Sequence, residues 1–311
     1  MNIVFMGTPE FAIPSFQALL ESVHQVVGVV TVPDKPTGRG LKITPSPVKQ
    51  LALDYNLPLL QPEKLTDEDF IRQLSALKAD LFVLVAFRIL PEAVFTMPPR
   101  GTVNLHASLL PRYRGAAPIN WALINGETET GITIFFIKKE IDTGNIILQE
   151  KVEILPEDNF GSLHNKLMTI GAEVLMEAID LIEANEAPSL PQTGEVTKAP
   201  RITKEICRIN WDNPALSIHN LVRGLSPCPG AFTMLDNRLL KIFTTQYVNQ
   251  PTTLTVKPGT IIEISQKTGL ISVVTGDGTL AIQELQLAGK KCMCTSEFLK
   301  GCRLKVGDQF V

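Results

Sequence analysis

The sequence predicts an α/β protein: a mostly parallel sheet with helices, followed by a small antiparallel β-barrel or sandwich. Three observations carry that prediction. The chain opens as strand, turn and helix, with the short apolar stretch 3–6 ahead of Gly7-Thr8-Pro9. Residues 81–86, LFVLVA, are wholly apolar, as expected of a central parallel strand buried on both faces. Beyond residue 207 the pattern changes to short runs separated by turns, the signature of an antiparallel barrel or sandwich.

The elements follow in order. Thr8 is expected to cap the first helix with Pro9 at its first position, where the missing N–H costs nothing. One glycine stands where a dinucleotide fingerprint needs three, so no nicotinamide or flavin site is expected. Residues 25–32 read as the next strand. The stretch 33–49, PDKPTGRGLKITPSPVK, holds four prolines, two glycines and four basic residues, and is expected to be irregular. So long a loop is uncommon without a role, and its cations could order on a phosphate backbone. Residues 65–77 read as a helix capped by Thr66, with Leu65 stapled on Phe70 and Phe70, Leu74 and Leu77 buried.

The stretch 101–121, GTVNLHASLLPRYRGAAPINW, is the chemical centre. If 103–106 is a strand, its alternation places Asn104 and His106 on one face, about 7 Å apart. They then lie at a strand end, where ligands bind in open parallel sheets. Residues 131–137 form another strand, and KKEIDTGN (138–145) is the loop after it. Asp-Thr-Gly is a common turn sequence, Asp bonding the backbone and Gly tolerating positive φ. Its place at a second strand end is what makes Asp142 a candidate. Residues 160–185 carry a helical apolar stripe, Leu163 to Ile182.

At 311 residues the chain is long for one core, and the proline-rich, aperiodic stretch 186–206 suggests where it divides. We expect a domain at 1–189, a linker at 190–206 and a second domain at 207–311. In the last, a short helix near 215–224 precedes strands at 231–235, 239–243, 260–265, 270–274 and 279–287. Charge is uneven: residues 1–206 have 18 Lys+Arg against 25 Asp+Glu, a net of −7, while residues 207–311 have 11 against 7, a net of +4. A basic C-terminal third hints at a polyanionic partner. Five cysteines, an odd number, give no disulfide framework, and Cys292-x-Cys294 with Cys302 lacks zinc spacing. No metal site is expected. The absence of a signal segment or an apolar span points to the cytoplasm and away from a membrane.

Nucleophile elbows, phosphate loops with lysine and HExxH helices are missing, so covalent catalysis has little support. Asn, His and Asp converging at strand ends suit acyl or formyl transfer to an amine. Asn104 could donate to the developing oxyanion, His106 could donate or relay protons, and Asp142 could orient His106 or take the proton through water.

N-x-H-x-S-L-L-P, then R-Y-R-G-A-A-P, then D-T-G about 35 residues on, resembles the folate-dependent formyltransferases. Matching stretches run nearly end to end, from FMGTPEFAIPS through the 33–49 loop and KKEIDTG to a C-terminal domain of about 100 residues. The resemblance implies a Rossmann-like catalytic domain and an OB-like barrel that holds tRNA. It implies formyl transfer from 10-formyltetrahydrofolate to the free α-amino group of initiator methionyl-tRNA, by a monomer, without a metal. It implies Asn104, His106 and Asp142 as the catalytic set and Ser108, Leu109, Leu110 and Pro111 as the folate-binding turn. Phe87, Arg88 and Leu90 fall at the pterin side, where Ala86-Phe87-Arg88-Ile89-Leu90 reads one residue shorter than the family's usual Ala-Tyr-Gly-type segment. Arg39, with Lys42 and Lys35, falls at the acceptor end of the tRNA. The 112–115 run RYRG reads as scaffold on the folate side. A formyltransferase for a small amine, glycinamide ribonucleotide or an amino sugar, is the alternative; the ribonucleotide enzymes lack the second domain and the basic loop. A folate- or RNA-binding module without catalysis is the other, and the intact trio argues against it.

Overall fold

The computed structural model describes residues 1–37, 42–247, 256–265 and 269–311. They form two compact units, the first made of 1–115, 130–153 and 164–199, the second of 116–129, 154–163 and 200–311.

The first unit is built on a sheet whose central strands are almost wholly apolar and buried. Its strands begin with β1 (Asn2–Gly7), β2 (Gln25–Val30), β3 (Lys35–Thr37), β4 (Lys42–Thr44), β5 (Leu59–Leu60), β6 (Leu81–Val85) and β7 (Thr102–His106). They continue with β8 (Arg114–Gly115), β9 (Glu129–Phe136), β10 (Ile146–Glu153) and β11 (Lys198–Ala199). Seven form one sheet in the order β10-β9-β7-β6-β1-β2-β5. The pairs β1/β2, β1/β6, β6/β7 and β2/β5 are parallel, and β7/β9 is antiparallel. All five residues of β6 are buried, as its apolar run requires. Around the sheet stand α1 (Ile13–Leu20), α2 (Pro47–Asp54), α3 (Glu68–Ala76), α4 (Glu92–Phe95) and, from His164 onward, α6 (Phe160–Ala184). This is the Rossmann-like α/β arrangement expected from the sequence.

Local expectations are corrected at three places. Thr8 caps nothing: a 3-10 turn (Glu10–Ala12) follows Pro9, and the buried Thr8 hydroxyl has no hydrogen-bond partner among the described residues. The cap of α3 is Asp67, which accepts the Phe70 N–H, rather than Thr66 one residue earlier. The 33–49 stretch is partly regular. β3 and β4 pair antiparallel, with Pro36 opposite Ile43, and Ser46 caps α2 with Pro47 at its start. A two-stranded ribbon has open edges, so a proline that cannot donate is tolerated there.

The second unit contains α5 (Pro118–Ile124), residues 154–163, α7 (Ala215–Leu225) and α8 (Thr295–Gly301). Its strands are β12 (Ala231–Leu235), β13 (Arg238–Tyr247), β14 (Ile261–Ser265), β15 (Leu270–Val274), β16 (Thr279–Leu287) and β17 (Met293–Cys294). They run antiparallel in the order β12-β13-β16-β15-β14, with β17 on β16. The chain end closes this sheet. Ile261 N–H donates to Asp308 O and Phe310 N–H to Gly259 O, while Met234 and Val311 exchange both main-chain bonds. Closure removes exposed sheet edges. Ile242, Ile261, Ile271, Leu280, Ile282 and Leu285 fill the interior without measurable exposure, and Phe310 stacks on Trp211. The Trp211 indole N–H is satisfied by Thr233 Oγ1 at 3.0 Å. On α7, Gly224 O accepts from Asn120 Nδ2 of α5 at 2.8 Å, and Arg223 donates to the carbonyls of Leu155 and Asp158.

No helix among the described residues is long and apolar enough to cross a membrane.

Candidate active site

The site lies in the first unit, beyond the carboxyl ends of β6 and β7. A cleft there is lined by Leu84, Phe87, Arg88, Leu90, Asn104, Phe135, Ile137 and the 138–142 loop, so Asn104 and Asp142 face the same space. Asn104 is half-buried on β7. His106, two residues on, is buried, and its Nδ1 stands 3.8 Å from Asp142 Oδ2. Asp142 thus shares the cleft with Asn104 and stands beside the buried His106, two residues further along the same strand as Asn104.

Hydrogen bonds settle which imidazole nitrogen is free. His106 Nε2 is 2.9 Å from the carbonyl oxygen of Tyr113. A carbonyl only accepts, so Nε2 carries a proton and donates it. In neutral imidazole the lone pair is then on Nδ1, toward Asp142. Asp142 Oδ2 in turn accepts the Gly115 N–H at 2.8 Å. The arrangement offers a base beside a carboxylate, with a side-chain amide close by on the same strand.

Two backbone conformations support it. Tyr113 and Asp142 have φ of 59° and 54°, in the left-handed region that residues with side chains rarely adopt. The D-T-G turn thus takes its positive φ at Asp142 itself. Gly144 is needed for space: a Cβ there would come within 1.5 Å of Phe136 O. Gly115, at φ 126°, lets the chain pair with β11, since a Cβ would meet Ala199 O at 2.6 Å.

The remaining predicted residues fall in different places. Phe87, Arg88 and Leu90 line the cleft. Arg88 is tied down: it donates to Pro62 O at 2.8 Å and Glu63 O at 3.0 Å, and its guanidinium lies over the Phe87 ring. Burial lowers its pKa, and its Nε has no hydrogen-bond partner among the described residues. Ser108, Leu109, Leu110 and Pro111 do not line the cleft. Ser108 is fully buried, with Oγ donating to Arg112 O at 2.7 Å. Thr133 and Gln149 hold the turn from behind, Thr133 Oγ1 donating to Ser108 O and Gln149 Nε2 to Leu110 O. Lys35 is exposed on β3. Arg39 and the side chain of Lys42 lie outside the described residues. Among those residues no cluster of three or more His, Cys, Asp or Glu side chains is placed to hold a metal.

Sequence reasoning missed two residues. Gln192 donates from Nε2 to the carbonyls of Asp142 and Gly144, both at 2.9 Å, and accepts from Arg114 at Oε1. Thr197 accepts the Tyr113 N–H at Oγ1 and the Arg114 N–H at its carbonyl. Both stand in the proline-rich stretch read as a linker, where no periodicity marks them.

Comparison with known proteins places this site in a family. The formyl transferase model matches residues 1–179, and the formyl transferase C-terminal domain model matches residues 201–303. The methionyl-tRNA formyltransferase of Bacteroides fragilis is 50% identical over 98% of this chain and 96% of its own length. The chain belongs to the methionyl-tRNA formyltransferase family. The relative from Alkaliphilus oremlandii is 45% identical over 99% of each chain. Among solved structures, an N-formyltransferase from Helicobacter canadensis, in complex with folinic acid and dTDP-3-aminofucose, has a TM-score of 0.64. It is 19% identical over 90% of this chain and 97% of its own, a likeness of fold. The fold expected from the sequence is therefore the family's own.

Proposed function

We propose that this protein transfers the formyl group of 10-formyltetrahydrofolate to the α-amino group of initiator methionyl-tRNA. It acts as a monomer in the cytoplasm. Identity of 45–50% to methionyl-tRNA formyltransferases over nearly the whole chain supports the substrate pair. The observation that carries the chemistry is a cleft lined by Asn104 and Asp142, with the buried His106 Nδ1 3.8 Å from Asp142 Oδ2 and its Nε2 held by Tyr113 O.

In this reading the amine enters between Asn104 and His106. Nδ1 of His106 takes the proton that the attacking amine sheds, a role worth roughly 10²–10⁴ in rate. The imidazolium so formed is stabilised on both sides, by Asp142 Oδ2 and by Tyr113 O. Asn104 donates its amide N–H to the formyl oxygen as that oxygen becomes negative, a contact worth about 3 kcal/mol. The same imidazolium then returns a proton to the departing folate nitrogen. The apolar wall of Leu84, Phe87, Leu90 and Phe135 suits a flat heterocycle, with Arg88 stacked behind Phe87. Ser108, Leu109, Leu110 and Pro111 serve the folate side as a scaffold that sets His106. Arg39, Lys42 and Lys35 contact the tRNA acceptor end through charge.

A formyl-transfer assay with charged initiator tRNA tests the proposal. Turnover is expected with the charged tRNA; its absence, alongside turnover of glycinamide ribonucleotide or an amino sugar, would replace this reading with the small-amine one. Arg39→Ala is expected to raise KM for tRNA and leave folate binding intact. The reverse outcome removes the 33–49 segment from the tRNA side.

A further inference from the structure

The proline-rich stretch after α6 reaches both members of the proton-handling pair. Gln192 spends both amide N–H groups on the Asp142–Gly144 turn, bonding the carbonyls of Asp142 and Gly144 at 2.9 Å each. Its Oε1 is itself held by Arg114, at 3.1 Å from Nε and 2.6 Å from Nη2. Five residues on, Thr197 Oγ1 accepts the N–H of Tyr113 at 2.8 Å, and Thr197 O accepts the N–H of Arg114 at 3.0 Å. Tyr113 is the residue whose carbonyl holds His106 Nε2. Asp142 and Tyr113 are both held at left-handed φ, and each is tied to the same short segment. Such conformations are costly and persist only when the surroundings over-determine them.

We infer that Gln192 and Thr197 are positioning residues for formyl transfer, holding the Asp142 carboxylate and the His106 imidazole at their working separation. Neither lines the cleft, and neither touches the reacting atoms. Gln192 sets Asp142 through the backbone of its turn. Thr197 sets His106 through the backbone of Tyr113. Arg114 joins the two by bonding to Gln192 with its side chain and to Thr197 with its N–H. The inference rests on the reading of His106 and Asp142 as the groups that handle the amine proton.

The test measures kcat, KM for each substrate and thermal midpoint in the full-length chain. Gln192→Ala is expected to lower kcat about 10- to 100-fold, since displacements near 1 Å cost up to 10²-fold. KM for tRNA and for the formyl donor should stay within about threefold. Gln192→Glu keeps the acceptor for Arg114 but turns oxygen toward two carbonyls, so it should fare no better than alanine. Thr197→Val, which keeps shape and loses the hydroxyl acceptor, should lower kcat about 10-fold. Thr197→Ser, which keeps the acceptor, should restore it. A merely structural role predicts a different set: loss of activity in step with a lowered thermal midpoint, with KM and kcat moving together and serine no better than valine. That set, or wild-type kcat in Gln192→Ala, overturns the inference while leaving the proposed reaction in place. An inactive wild-type chain overturns both.

Discussion

The two units use polar side chains in opposite ways. In the barrel, buried polar groups complete the interior: Trp211 donates to Thr233, and Thr295 donates to Ile282 O, so that an apolar core can close around them. In the first unit, polar groups on β7 and in the loop after β9 are held beside a cleft by bonds made behind them. Asp142 and His106 owe their places to Gly115, Tyr113, Gln192 and Thr197. The difference teaches where a substitution should be felt. At the cleft it should alter turnover with little change in stability, and in the barrel it should do the reverse.

The largest test of that contrast is His106→Ala. Turnover should fall roughly 10²- to 10⁴-fold, with binding of a folate analogue largely kept and the thermal midpoint near that of wild type. Near-normal turnover would take His106 out of the chemistry. Asn104→Ala should cost about 10²–10³ in kcat, the effect of removing one oxyanion donor, again with little change in unfolding. Ile282→Ala should show the opposite profile: about 2–5 kcal/mol lost in denaturant unfolding, and unchanged kcat per folded molecule. If it slows turnover as strongly as it destabilises, the contrast between the units fails.

Smaller effects sharpen the comparison. Asp67→Ala removes the α3 cap in the first unit, at a residue that does not line the cleft, and should cost about 1 kcal/mol of stability with kcat unaltered. In the second unit, His219 has its pKa lowered from 6.5 by burial and then by Arg223. A base depressed in the folded state binds its proton more readily when unfolded. Its contribution is therefore full above about pH 6.5 and is lost as the pH falls below that value. Urea melts from pH 7.5 down to 5 should show this decline, and His219→Gln should flatten it.

How much of this was legible in the sequence depended on range. The apolar run of β6 and the alternation of β7 are local patterns, and they placed Asn104 and His106 on one face. Asp142 is a candidate because its loop follows a strand, although the D-T-G pattern points to the glycine rather than to Asp142 for the left-handed φ. Thr66 and Asp67 are adjacent cap formers, and sequence cannot rank two good caps one residue apart; helix entry is set by packing of Phe70 and Leu74. In the 33–49 stretch the prolines exclude a central strand, yet Pro36 sits comfortably on a two-stranded ribbon. Gln192 was invisible for a physical reason: its partners are 48 to 78 residues away, and no periodicity announces a single amide. Ser108 matches a motif, but its complete burial and its bond from Thr133 on another strand are long-range facts that the motif does not carry.

The interleaving of the two units along the chain bears on any attempt to dissect the protein. A fragment beginning at residue 200 would carry every strand of the barrel but not α5 or residues 154–163. It would leave Gly224 O without Asn120, and Arg223 without the carbonyls of Leu155 and Asp158. The barrel is therefore no transferable cassette. Grafting it onto another protein requires the α5 and 154–163 segments as well, supplied in trans or spliced in by permuting the chain.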